Sequence, residues 1–82
     1  MPPVAKKKKG KHLRDTDALI RLGNRIKKLR EKWDMSQREL AEDSKVARYQ
    51  LSRIERGISD PTYSVLRRIA EALDVNLSDL ID

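Results

Sequence analysis

Cysteine is absent from this 82-residue chain, and histidine occurs once, at His12. Without thiols there can be neither disulfides nor thiolate metal sites, and the redox compartment leaves no mark on the sequence. A single imidazole cannot build a metal centre unaided, and a Ser-His-acid triad would have to recruit it from a polar N-terminal stretch. Apolar runs are only a few residues long, so neither a membrane span nor a signal peptide is expected, and a cytoplasmic protein is. With three glycines in all, no glycine-rich phosphate loop can be assembled; internal repeats and coiled-coil heptads are missing as well. The length allows one domain at most, with a marginal core and no room for a large active-site cavity. No catalytic residue, cofactor or metal is expected.

What is present is positive charge. The formal net charge is +6 and the isoelectric point about 9.9, a balance that favours a polyanionic partner without choosing between nucleic acid and an acidic membrane surface. Residues 1–18 carry Lys6, Lys7, Lys8, Lys9, Lys11 and Arg14 against Asp15 and Asp17, so +4 of the +6 sits in the N-terminal stretch. Residues 1–14 read as a flexible basic arm, since MPPVAKKKKGK has two prolines, a glycine and no apolar periodicity. Such an arm is either a solvating tail or a segment that lies along phosphates and releases counterions. Residues 15–82 read as the folded domain.

A first helix is expected from Asp15 or Thr16, either of which can cap it. Leu19, Leu22, Ile26, Leu29 and Trp33 then recur at spacings of three and four, one buried stripe of a helix. Ser36 and Glu39 form a Ser-x-x-Glu capping box for a second helix, with Met35 and Leu40 placed as a hydrophobic staple. Gln37 projects where this helix begins, at a position suited to a phosphate. A third helix is expected from Arg48 to about Arg56, stopped by Gly57. Its wheel puts Ala47, Leu51 and Ile54 on an inner side, and Arg48, Tyr49, Ser52, Arg53 and Arg56 on an outer arc. Two short helices joined by a tight turn, the second with a basic outer face, have the shape of a helix-turn-helix. Arginines on such an arc can bond bidentately to guanine O6 and N7, and the Tyr49 ring suits a thymine methyl. A charged arc on an arbitrary helix is simply a solvated face; within this motif the outer arc is the reading surface.

Ser59-Asp60-Pro61 marks a turn, and Thr62, or alternatively Asp60, caps a fourth helix whose buried face is Val65, Leu66, Ile69, Ala70 and Leu73. Asn76 can cap a short fifth helix, with Val75 and Leu80 as a second staple. Leu77, Leu80 and Ile81 either seal the monomer core or form a two-fold interface.

Gln37, Ala41, Val46, Leu51 and Ile54, with SRIERG closing the unit, resemble the Cro and phage-repressor type of helix-turn-helix regulators, and the likeness continues through DPTYSVLRRIAEALDVNLSDLI. The resemblance implies an all-α, compact five-helix domain that binds double-stranded DNA, commonly as a homodimer on a palindromic operator. By position in the motif it assigns base reading to Arg48, Tyr49 and Arg53, and secondarily to Gln50 and Ser52. Against the sugar-phosphate backbone it places Ser59, Thr62, Tyr63 and Ser64, with charge from Lys45 and Arg56. It also pairs Glu55 with Arg30. Two departures stand out: Lys45 occupies the turn position usually held by glycine, and Ala47 the cap position usually held by Ser or Thr.

The expected function is a DNA-binding transcriptional regulator, nucleoid-associated when bound, repressing rather than activating. Controllers of restriction-modification operons and antitoxins share this compact layout. The alternative is a protein-interaction module using the same fold to bind a toxin, a regulator or RNA polymerase. A membrane-surface binder using the lysine arm is a further rival.

Overall fold

The stripe Leu19, Leu22, Ile26 and Leu29 forms one side of a helix, as its spacing predicts, with Leu22 and Ile26 buried and Leu19 and Leu29 packed at the edge of the core. The computed structural model describes residues 9–81, with side chains from Thr16 onward. Helix α1 spans Lys9–Lys32, α2 Gln37–Ser44, α3 Arg48–Glu55 and α4 Tyr63–Ala72. A single 3-10 turn, Leu77–Asp79, follows them. The fifth expected helix is therefore only this turn, and the architecture among the described residues is all-helical with four α-helices. Asp79 reaches back to accept the Asn76 N–H at 3.0 Å, and Leu80 next to it is fully buried, so three residues suffice to close the core and nothing drives the helix further.

Helix α1 also begins earlier than the Asp15 or Thr16 cap expected for it. Between Lys11 and Arg14 there is no proline, glycine or β-branched residue, so extending an existing helix upstream meets little resistance there. The side chains of residues 1–14, on which the expected contact of the basic arm with phosphates depends, lie outside the described residues.

Helix α3 packs on α1 and α2, and α4 packs on α2. Ile26, Leu40, Leu51, Ile54, Ile69, Leu73 and Leu80, all fully buried, form the centre where these faces meet. Trp33 is a correction to the expected stripe: its side chain stays 52% exposed. The indole Nε1–H donates to the Leu73 carbonyl at 2.9 Å, which holds the ring along the surface, where it ties the end of α1 to the end of α4. Periodicity assigned Trp33 to the right face, but at the last turn the helix has run past the core.

The α2 capping box is present as read: Glu39 N–H donates to Ser36 Oγ at 3.0 Å and Ser36 N–H to Glu39 Oε1 at 2.8 Å. Thr62, not Asp60, caps α4, its Oγ1 accepting the Val65 N–H at 3.2 Å, and Pro61 stands just ahead of the cap.

All four α-helices end in the same way. Asp34, Lys45, Gly57 and Asp74 take positive φ angles of 58°, 58°, 76° and 59°. Each is followed by an apolar residue, Met35, Val46, Ile58 or Val75, whose N–H returns to a carbonyl five residues back. This is the Schellman arrangement, which satisfies carbonyls left over at a helix end. Only one of the four residues is glycine. At Lys45 the left-handed conformation costs a side-chain-bearing residue about 1–2 kcal/mol, of which glycine recovers part while losing ~0.4–1 kcal/mol to its freer unfolded chain. Lys45→Gly is accordingly expected to stabilise the free protein by about 0.5–1 kcal/mol, a rise of a few degrees in melting temperature. A fall in a circular-dichroism melt would show that Lys45 contributes something beyond its backbone angle.

Candidate nucleic-acid interface

Helix α3 has only eight residues, too few to be stable alone, so its pose is set by what holds it from behind. Leu51 and Ile54 plug into the core without measurable exposure. Gly23, midway along α1, lies beneath the last turn of α3. A Cβ at that position would stand 2.4 Å from the Ile54 carbonyl oxygen and 2.5 Å from that of Glu55. The absence of a side chain there is what lets the two helices approach so closely.

A polar clamp supplements this contact. Arg30 meets the buried Glu55 carboxylate with both arms of its guanidinium, Nε–H to Oε2 at 2.7 Å and Nη2 to Oε1 at 3.0 Å. Its Nη1 donates to the Met35 carbonyl at 2.8 Å. The hydrogen bonds and charge of Glu55 raise the Arg30 pKa above its ordinary value, outweighing the opposing effect of burial. Gln37 completes the clamp, donating from Nε2 to Glu55 Oε1 at 3.0 Å. One carboxylate on α3 thereby gathers the end of α1 and the start of α2. The Arg30–Glu55 pair is as expected; the Gln37 bond is not. Gln37 is half-buried, with one amide hydrogen committed to Glu55, and retains a second for an outside acceptor.

The outward face of α3 carries Arg48, Tyr49 and Arg53. Tyr49 is 72% exposed, Arg48 is exposed and Arg53 is half-buried. The Arg53 guanidinium lies over the Tyr49 ring, 5.7 Å from its centroid, and makes a long 3.4 Å bond to the Ile58 carbonyl. Gln50 and Ser52, the secondary reading candidates, are half-buried at the margins of this face. Ala47 was expected on the inner side but is exposed and extended ahead of the helix, with no side-chain cap for α3. A methyl group offers no acceptor for the first-turn amides, so nothing draws it inward.

The residues expected along the backbone flank are brought together less tightly. Lys45, Arg56, Thr62, Tyr63 and Ser64 are all exposed and Ser59 is half-buried, in the segments that precede and follow α3. Arg56 bends back, its Nε–H donating to the Ser52 carbonyl at 3.4 Å. Thr62 Oγ1 accepts the helix-capping bond and retains its hydroxyl hydrogen. Acidic side chains collect elsewhere: Asp34, Glu39, Glu42 and Asp43 line a shallow cleft beside Trp33 and Met35, to which α3 contributes nothing.

The helix-turn-helix family (HTH_3) matches residues 26–80, a span that includes all of α2, α3 and α4. The chain belongs to this family. As a family member it is 39% identical over 62 residues to the HTH-type transcriptional regulator SinR of Bacillus subtilis (strain 168), a match covering 74% of the chain and 56% of SinR. The chain thus spans little more than half of that regulator. It is 40% identical over 65 residues to the control protein C.MunI of a Mycoplasma species, covering 78% of the chain and 88% of C.MunI. Among solved structures it is similar to the restriction-modification controller protein C.AhdI of Aeromonas hydrophila, with a TM-score of 0.75 and 30% identity over 77% of the chain and 96% of C.AhdI. The Cro and phage-repressor resemblance of the sequence is thereby shown at the level of the family.

Sequence reasoning missed Gly23. The available signal was a lone glycine inside a run with the apolar spacing of a helix, which marks either a weak helix or a close packing contact. Of the two uses expected for Leu80, sealing the monomer core is the one found, since it is fully buried; Ile81 is 44% exposed and Leu77 half-buried. Among the described residues no helix is long and apolar enough to cross a membrane.

Proposed function

We propose that this family member is a sequence-specific double-stranded DNA-binding transcriptional regulator that inserts the outer face of α3 into the major groove. The observation that carries this reading is the two-sidedness of α3. Leu51, Ile54 and Glu55 are buried and fix the helix from behind, while Arg48 and Tyr49 are exposed and Arg53 is stacked on Tyr49. Long side chains with guanidinium donors, held on a rigid short helix, suit the acceptor pattern of guanine. Lys45, Arg56, Ser59, Thr62, Tyr63, Ser64 and the remaining amide hydrogen of Gln37 would set the register on phosphates without reading bases. That proteins similar to it are named a transcriptional regulator, a control protein and a restriction-modification controller protein supports the same reading. The regulation proposed is repression, by occupying promoter DNA.

The protein would bind a palindromic operator as a homodimer. Ile81 borders a shallow surface with Leu19 and Leu66, whereas Leu77 lies at a separate cleft beside Tyr63 and Val75, so the strip around Ile81 is the face offered for the two-fold contact.

Selection from a random duplex library tests the proposal. A consensus with half-site symmetry is expected. Within it, Arg53→Ala should weaken binding by about 1–3 kcal/mol at one base position only. Uniform weakening across all sequences would make Arg53 a phosphate contact, and a selection without any consensus would remove the function.

A further inference from the structure

The stacked pair on α3 specifies more than a helix entering a groove. Tyr49 and Arg53 stand one helical turn apart, and the guanidinium sits over the ring at 5.7 Å. The Arg53 Nη2 spends one hydrogen on the long bond to the Ile58 carbonyl and keeps the other, so a two-pronged in-plane edge remains to match guanine O6 and N7. Successive base pairs are about 3.4 Å apart along each strand. The 5.7 Å between the two groups is less than two such steps, so they fall on the same pair or on adjoining ones. With Arg53 on a guanine edge, the adjoining arrangement puts the Tyr49 ring over the next pair, where the feature that an aromatic ring can sense in the major groove is a C5-methyl group. The phenol hydroxyl both donates and accepts, so it can pair with O4 of thymine or with the N4 amine of cytosine.

We infer that Tyr49 and Arg53 together read a C5-methylated pyrimidine next to a guanine, and that the site accepts thymine and 5-methylcytosine alike while binding their unmethylated counterparts less tightly. This rests on the DNA-binding reading above. It makes binding sensitive to cytosine methylation of the site, a property set by one ring and not by overall charge. Tyr49 is 72% exposed and lies outside the hydrophobic core cluster, so altering the ring should disturb the fold little.

The test starts from duplexes selected by the full chain from a random library, with affinities measured by fluorescence anisotropy. The selected site should contain a thymine adjacent to a guanine. Replacing that thymine by uracil should weaken binding about fourfold, the value of one buried methyl group. Replacing it by cytosine should weaken binding, and 5-methylcytosine should bind about fourfold better than cytosine. Substituting 7-deazaguanine for the guanine should cost about tenfold through loss of the N7 acceptor. In Tyr49→Ala the thymine-to-uracil ratio should fall to about one while the 7-deazaguanine effect persists; Tyr49→Phe should keep both. Equal binding of thymine and uracil duplexes, a uracil penalty that survives Tyr49→Ala, or a selected site lacking the thymine-guanine pair would overturn the inference and leave DNA binding intact. No enrichment of any duplex would overturn both.

Discussion

Gly23→Ala is expected to lower the melting temperature by roughly 10–20 °C and to weaken DNA binding beyond what the residual fold explains. Two effects oppose each other at this position. Alanine favours the helix over glycine by about 1 kcal/mol. Against that, the new Cβ would meet the carbonyl oxygens of Ile54 and Glu55 at 2.4 and 2.5 Å. These are backbone atoms, which cannot rotate aside as a side-chain tip can. Relief requires α3 to move off α1, and overpacking of this kind costs about 1–3 kcal/mol, occasionally more. Contact with an unyielding partner puts this site at or above the upper end. At about 4–8 °C per kcal/mol for a domain of this size, the steric term wins. A circular-dichroism melt decides the sign, and a rise in melting temperature would mean that the helices separate more easily than their crossing implies. Because the element displaced is the one proposed to enter the groove, anisotropy with a selected duplex should show weaker binding even at temperatures where the variant remains folded.

Arg30→Ala is expected to be as damaging through a different mechanism. Glu55 is 7% exposed, and Arg30 supplies two of its hydrogen bonds. Removing the guanidinium leaves a buried carboxylate held only by Gln37, at a cost of about 3–5 kcal/mol, which is a large share of the total stability of a small domain. The fall in melting temperature should be roughly 15–30 °C. The loss arises from stranding a charge and not from the worth of the pair itself, so the double variant Arg30→Met with Glu55→Leu should recover most of it. A double variant no more stable than Arg30→Ala would show that the ion pair itself, or its bond to Gln37, carries the stability. Whatever the stability change, the base preference of any variant that still binds should be unaltered, since neither residue faces outward.

Local chemistry is what the sequence made legible. The Ser36–Glu39 box, the Thr62 cap and the left-handed angle at Lys45 each depend on residues within one turn of one another, and each is found as read. The outer arc of α3 was legible because Leu51 and Ile54 mark the opposite side. What escaped depends on distances between segments far apart in the chain. Trp33 has the right helical phase but lies beyond the end of the core. Leu80 had two possible uses, and only packing against the assembled core decides between them. Gln37 turned partly inward because Glu55, eighteen positions later, was waiting to accept its amide. The importance of Gly23 lies entirely in the backbone of α3.

The hydrogen bond from Trp33 to Leu73 gives this protein a built-in optical gauge. It is the only tryptophan in the chain, with its ring half shielded and its N–H tied to the end of α4. Separation of α1 from α4 would bare the indole to water and shift its emission to longer wavelength. The residue shares its clefts with Met35, Asp43 and Ala72 and with no part of α3, so the signal should follow unfolding and stay nearly silent when a duplex is added.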